Sequence, residues 1–221
     1  MTASDGGPRP ASMGQAAAPS LPRPDSYSSV ERRFLEPVRH LLAWACGPLV
    51  AALVRFGVAP NTVSLVGPLL GVLFVFTVRQ SRLLGFVIWI PSMLVDGVDG
   101  ALARHTGRAS TYGALVDQFA DHTREILVIA GLAASGALSP LWGSLYPFVY
   151  TALNVTLLMG NMCGAPVPVA VKSWLVLYPA IAVYLLGGRN YLNPAAALSV
   201  TLMALTIVHG LALLSRAMDA G

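Results

Sequence analysis

Four aspartates, Asp96, Asp99, Asp117 and Asp121, form two pairs spaced by three and by four residues, and each spacing puts its pair on one helix face. Gly100, Ala103 and Arg104 follow Asp96 at offsets of four, seven and eight and share its face. Further on, Gly113, Asp117, Asp121 and Glu125 recur at every fourth residue and form a second stripe. Two acidic faces on consecutive antiparallel helices can meet, and four carboxylates brought together repel one another unless cations intervene. An all-oxygen donor set suits Mg²⁺ or Mn²⁺, with two ions the natural number. Such ions bind phosphates, so the expected ligand is a diphosphate held between the metals and Arg104. Gly100, Ala103 and Gly113 are small where a bulky ligand must approach the backbone, and Gly107 supplies the turn between the two stripes.

The chain around these residues is close to hydrocarbon. Its 221 residues are 55% hydrophobic and only 11% charged, against about 25% charged in a soluble domain, and the mean hydropathy is +0.66. That composition is an integral membrane protein. Of ten acids, Asp5, Asp25, Glu31 and Glu36 precede the apolar region and Asp219 lies at its end; the other five fall within residues 96–125. A charge at bilayer depth costs at least about 2.5 to 3.5 kcal/mol, so a polar cavity must receive them. The net charge of +4, carried by arginines and by Lys172 alone among lysines, fits an anionic membrane surface and no nucleic acid, since no solvated basic domain is present. Cys46 and Cys163 lack metal-ligand spacing and read as packing residues.

The expected fold is an all-α integral membrane protein with six transmembrane helices after an N-terminal interfacial amphipathic helix. Residues 1–28, rich in Pro, Gly, Ser and Ala, read as a disordered cytoplasmic tail. Residues 29–58 read as the interfacial helix, because the apolar run 41–54 is short and broken at Gly47-Pro48; a kinked span is the alternative. Residues 59–221 form the membrane domain, with spans expected near 61–78, 83–99, 112–135, 141–161, 171–187 and 193–214. An inside N-terminus puts Arg32, Arg33, Arg39, Arg55, Arg104, Arg108, Lys172 and Arg216 on the cytoplasmic side and Arg79, Arg82 and Arg189 outside, so both termini and the acidic stripes are expected at the cytoplasmic face of a bacterial plasma membrane.

The run DGVDGALARHTGRASTYGALVDQFAD, residues 96–121, resembles the signature of the CDP-alcohol phosphotransferases, D-x2-D-G-x2-A-R-x8-G-x3-D-x3-D. All eight fixed positions match: Asp96, Asp99, Gly100, Ala103, Arg104, Gly113, Asp117 and Asp121. The segment APNTVSL, residues 59–65, is similar to the opening of that family's first span. The resemblance implies transfer of a phosphatidyl or similar phosphoalcohol group from a CDP-linked donor, CDP-diacylglycerol first, to an alcohol, with release of CMP, in phospholipid biosynthesis. It also implies that Asp96, Asp99, Asp117 and Asp121 hold two metal ions, that Asp121 is the base, and that Asp96, Gly100, Ala103, Arg104 and Gly113 meet the cytidine diphosphate. A homodimer is implied too, and Gly160, Gly164, Ala195, Ala196 and Ala197 permit close helix packing.

The acceptor is the least legible part. A phosphorylated polyol, glycerol 3-phosphate first and an inositol phosphate second, needs cations beyond Arg104, and Arg124 and Lys172 are the candidates, with Arg216 behind them. Arg124 and Glu125 lie three and four residues past Asp121, which leaves open both an internal ion pair and a role in acceptor binding. Glu125 also leaves room for a quaternary ammonium or serine acceptor. Lys172 at the head of a span can simply snorkel. Arg108 reads as a membrane anchor, His105 and His122 as surface or packing residues, and Tyr112 and Trp142 as interfacial aromatics. Two rival functions fit the sequence less well. An intramembrane prenyltransferase needs a second acidic motif, yet residues 126–218 contain no Asp or Glu. A transporter or channel with an acidic cation site needs a polar path across the membrane, whereas the charges here cluster on one side.

Overall fold

The computed structural model describes residues 28, 30, 33, 45–170 and 172–219, and every regular element among them is helical. In chain order these are α1 (Gly47–Arg55), α2 (Pro60–Ser64), α3 (Val66–Gln80), α4 (Arg82–His105), α5 (Thr111–Ala134), α6 (Pro140–Met162), α7 (Ser173–Gly187) and α8 (Leu192–Asp219). The first expected apolar run is divided between α2 and α3, and each of the other five coincides with one helix. Three are long and apolar enough to cross a membrane by length and composition: Pro60–Gln80, Arg82–His105 and Leu192–Asp219. These make the chain an integral membrane protein. The acidic stripe and Arg124 keep α5 from the same standing, since they interrupt its apolar sequence.

Of the expected interfacial segment, 29–58, residues 29, 31, 32 and 34–44 lie outside the described residues, as does the tail up to residue 27. What is described is α1, nine residues opened by Gly47-Pro48. At about 1.5 Å per residue it is far shorter than the roughly 30 Å of a hydrocarbon core. It buries Val50 against Val63, Val98, Ala101 and Leu102, while Leu49, Val54 and Phe56 stay exposed.

The helices pack as two groups. α3 lies along both α4 and α5, while α8 packs on α6 and α7; α5 against α6 and α4 against α7 join the groups. Phe74 of α3, Trp89 of α4, Ile129 of α5, Tyr146 of α6, Leu177 of α7 and Met203 of α8 belong to one buried core. Glycines allow α3 and α5 to approach closely: a Cβ on Gly131 would stand 3.0 Å from the Phe74 ring, and one on Gly71 3.1 Å from Leu127.

Two features position the acidic stripes. α4 continues through the whole first half of the signature and stops at Gly107, whose φ of +65° is a conformation open chiefly to glycine. Ser110 then caps α5, its Oγ accepting from the Gly113 N–H at 3.0 Å. The chain thereby reverses in five residues. Meanwhile α2, begun by Pro60 at a helix N-terminus where its missing N–H costs nothing, packs against both α4 and α5.

At the other end, the ring of Tyr184 lies beneath the Arg82 guanidinium, and the Asn190 side chain donates to the Ala137 carbonyl at 2.7 Å. The turns after α3, α5 and α7 therefore meet at that end, and α5 and α7 run in the same direction.

Candidate active site

The reversal at residues 106–110 brings the two stripes together. Carboxylate oxygens of Asp96 and Asp99 on α4 and Asp117 on α5 all lie within 4.8 Å of one another. Asp99 is only 3% exposed, and neither of its carboxylate oxygens has a hydrogen-bond partner. Buried polar atoms are nearly always paired, so two orphaned oxygens beside two further carboxylates call for a ligand that the protein does not itself supply. A hard divalent cation such as Mg²⁺ or Mn²⁺ matches this all-oxygen set, and the residues therefore fit a metal centre.

Asp121 stands one turn deeper on α5. It lies outside the tight trio but within electrostatic reach of Asp96 and Asp117, and its Oδ1 is 3.4 Å from Arg124 Nη1. The arginine is buried, 8% exposed, and the same nitrogen donates to the Ser92 carbonyl of α4 at 2.9 Å. Room for its stem comes from α3, where Gly67 and Gly71 face Arg124.

Of the small signature residues, Gly100 borders the guanidinium of Arg104, which lies 3.3 Å from where a Cβ would project. Gly113 is hemmed by Ser110 Oγ at 3.2 Å and Asn61 Oδ1 at 3.4 Å. Ala103 is half-buried and Arg104 exposed. Asn61 and Ser64 of α2 thus border the site, the latter beside Asp99 with its hydroxyl donating to the Pro60 carbonyl at 3.3 Å. APNTVSL is in that sense part of the site's wall.

Glu125, the last member of the second stripe, has a different fate. It is 2% exposed and accepts from Tyr146 of α6 at 2.8 Å and from Tyr178 of α7 at 2.6 Å. The internal ion pair left open among Asp121, Arg124 and Glu125 forms with Asp121, and the glutamate is engaged by phenols. Sequence spacing on one helix gave no sign of these tyrosines. The available signal was that a buried acid in an apolar helix needs a donor, and only the folded arrangement says which tyrosines provide it.

Lys172 is buried, 8% exposed, immediately before α7, and does not snorkel outward. Arg216 is exposed near the end of α8. His105, Arg108 and Tyr112 are exposed. His122 stacks on Tyr150 with ring centroids 5.0 Å apart and pairs with Thr151 Oγ1 at 2.8 Å, a packing role. Trp142 packs partly against the main core. Cys46 and Cys163 are unbonded to each other and far from metal-ligand company among the described residues.

Comparison with known proteins adds three findings. The phosphatidylinositol phosphate synthase of Mycobacteroides abscessus is 34% identical over 109 residues, 48% of this chain and 48% of that protein. The archaetidylinositol phosphate synthase of Pyrococcus horikoshii is 31% identical over 86 residues, 38% of this chain and 45% of its own length. The chain thus spans about half the length of the curated relatives it matches. In fold it is similar to the crystal structure of Mycobacterium tuberculosis phosphatidylinositol phosphate synthase with CDP-DAG bound, at a TM-score of 0.66 and 18% identity, covering 76% of this chain and 92% of that one. The family model for CDP-alcohol phosphatidyltransferase matches residues 57–213, which contain both acidic stripes, the α2 wall and helices α3 to α8 save the last six residues of α8. On that match, together with the carboxylate cluster its signature builds, the chain belongs to the CDP-alcohol phosphatidyltransferase family.

Proposed function

We propose that this protein transfers a phosphatidyl group from CDP-diacylglycerol to a phosphorylated polyol and releases CMP. The observation that carries the reading is Asp99, a buried carboxylate with both oxygens unpartnered beside Asp96 and Asp117. Asp96, Asp99, Asp117 and Asp121 would hold two ions, Mg²⁺ or Mn²⁺, which when bound neutralise charge on the donor's diphosphate. Arg104 with Gly100, Ala103, Gly113 and Asp96 receives the cytidine diphosphate. Asp121 takes the proton from the acceptor hydroxyl as its oxygen bonds to the phosphorus bearing the diacylglycerol. The bond from that phosphorus to the bridging oxygen breaks, and CMP departs with the electron pair.

The acceptor reading now favours an inositol phosphate, since relatives bear the names phosphatidylinositol phosphate synthase and archaetidylinositol phosphate synthase; glycerol 3-phosphate is the second choice. Engagement of Glu125 by two tyrosines argues against a quaternary ammonium acceptor, because that carboxylate is already occupied. Lys172 suits the acceptor's phosphate. It heads α7, six residues or about 9 Å before Tyr178, and Asp121 lies four residues or about 6 Å before Glu125 on a helix running the same way. Tyr178 and Glu125 touch. Lys172 and Asp121 therefore sit at similar depth. Arg124 is the second candidate cation, adjoining Asp121 itself.

The same reading has all six long helices crossing a bacterial plasma membrane, both termini and the site at the cytoplasmic face, and a homodimer as the working unit. Clustering of the turns that carry Arg79, Arg82 and Arg189 at the end away from the site supports that orientation. The test is a reconstitution: purified protein, CDP-diacylglycerol and Mg²⁺ with a panel of alcohols in detergent. CMP release should depend on an inositol phosphate or glycerol 3-phosphate. Release with none of the acceptors, while an established family member works alongside, defeats the proposal; so does a preference for an unphosphorylated alcohol as regards the acceptor.

A further inference from the structure

The backbones of α5 and α7 do not pack: no Cα of one comes within 8 Å of a Cα of the other among the described residues. Yet the helix with the proposed base and the helix headed by Lys172 are joined by one short hydrogen bond, from Tyr178 Oη to Glu125 Oε2 at 2.6 Å. The glutamate is not loose, since its backbone lies within α5, and its other oxygen ties it to α6 by accepting from Tyr146 at 2.8 Å. Nor is the tyrosine loose: Trp89 of α4 meets its ring edge to face, with centroids 5.7 Å apart. Next to Glu125, Arg124 ties α5 to α4 through the Ser92 carbonyl and faces Asp121. One turn of α5 is thus cross-braced to α4, α6 and α7 immediately behind Asp121. Well-packed apolar residues would brace helices in a membrane at lower cost than a buried carboxylate, so a charged strut here asks for a reason beyond stability.

We propose that Glu125, held by Tyr178, is a positioning residue: it fixes α7, and Lys172 at its head, at a set distance from Asp121, so that one acceptor's phosphate and hydroxyl are held together. The inference rests on the phosphorylated-acceptor reading above and deepens it. Holding both ends of a substrate converts a loose encounter into an oriented one, and a displacement on the order of 1 Å can cost up to about 10²-fold in rate. The strut acts on the acceptor alone, since the donor meets residues of α4 and the first turns of α5.

Tyr178→Phe keeps the ring and deletes the bond, and Tyr146→Phe deletes the equivalent bond to a helix that bears no proposed ligand. Steady-state CMP release would be measured for both, with CDP-diacylglycerol as donor and an inositol monophosphate or glycerol 3-phosphate as acceptor, whichever the wild type uses. Tyr178→Phe should raise the acceptor KM about tenfold with the donor KM within about twofold, whereas Tyr146→Phe should leave the acceptor KM within about twofold. Glu125→Gln, which retains the shape but weakens the charge-assisted bond, should move the acceptor KM the same way by about threefold, and it supplies the answer if Tyr178→Phe does not fold. Equal effects of the two tyrosine substitutions, equal shifts in donor and acceptor KM, or no shift at all would overturn the proposal while the parent reading stands. A wild type that releases no CMP with either phosphorylated acceptor removes the parent reading and this one with it.

Discussion

Asp99 and Glu125 are both acids on apolar helices, and both are almost wholly buried, at 3% and 2% exposure. Their surroundings differ completely. Neither oxygen of Asp99 makes a hydrogen bond, the neighbouring Ser64 hydroxyl being turned to the Pro60 carbonyl, and Asp99 shares its space with two more carboxylates; Glu125 has a tyrosine on each oxygen. A buried acid with both oxygens engaged is architecture, because the protein has itself offset part of the desolvation it suffers. A buried charge left unengaged is a place where the protein expects something else to bind.

The comparison breaks most visibly by substitution at each acid. On the proposed reading Asp99→Asn removes a charge that would hold the metal, and the loss of several kcal/mol of transition-state stabilisation corresponds to about a thousandfold or more in CMP release. Its stability without metal should be unchanged or higher, since an unpaired buried charge has gone. Glu125→Leu should do the reverse to stability: the hydroxyls of Tyr146 and Tyr178 lose their acceptor, and each donor left unsatisfied costs about 1 to 3 kcal/mol. Thermal unfolding in detergent and CMP release, measured on both variants, decide it. A destabilised Asp99→Asn or a fully stable Glu125→Leu would dissolve the distinction between the two sites.

Between these extremes lies Asp121, paired on one side with Arg124 and open on the other to the carboxylate cluster. The proposed role of general base is worth about 10²-fold, so on that reading Asp121→Asn should lose that much of kcat with the fold retained. Near-normal turnover would remove it from the role. Mg²⁺ sharpens the same contrast without any activity measurement. At a concentration 100 times its Kd, a ligand bound only by the folded state adds about 2.7 kcal/mol of stability. Mg²⁺ should therefore raise the melting temperature of the wild type and of Tyr146→Phe, and should do so much less for Asp99→Asn. Equal stabilisation of all three would place the ion elsewhere.

How much of this could be read from the chain alone follows the same division. The stripe spacing and the turn at Gly107 are local, so the helices of the signature and their meeting at Asp96, Asp99 and Asp117 were legible in the sequence. So were the six long helices, because hydrocarbon runs of that length have few alternatives in a membrane. The partners of Glu125 were not, since Tyr146 and Tyr178 lie 21 and 53 residues away and nothing in their own neighbourhoods marks them. The same holds for the Ser92 carbonyl that receives Arg124, 32 residues distant. Long-range pairings of side chains depend on helix rotation and depth, which periodicity leaves free.

The smallest expected effect concerns the packing behind Arg124, and it asks whether the braced region is as tightly fitted as its hydrogen bonds imply. Gly67 and Gly71 lie one turn apart on α3 and both face α5. A Cβ at Gly67 would find only Arg124 Cδ, at 4.0 Å, an ordinary contact. At Gly71 it would stand 3.1 Å from both Cβ and Cδ1 of Leu127 and 3.4 Å from the Arg124 Cα. The Leu127 Cβ and the Arg124 Cα are fixed by the α5 backbone, so rotation of a side chain cannot relieve the crowding and the helices must part by a few tenths of an ångström. Overpacking of this kind costs about 1 to 3 kcal/mol, against a helix-propensity gain of at most about 1 kcal/mol from replacing glycine with alanine. Gly71→Ala should therefore lower the melting temperature in detergent, while Gly67→Ala should leave it unchanged or raise it slightly. Because α5 would move as a body, Gly71→Ala should also lower kcat several-fold through Arg124 and Asp121 and raise the donor KM, since Gly113 and Asp117 ride on the same helix. If both substitutions are equally harmless, the α3 to α5 contact is looser than drawn, and Arg124 owes its placement to Ser92 and Asp121 alone.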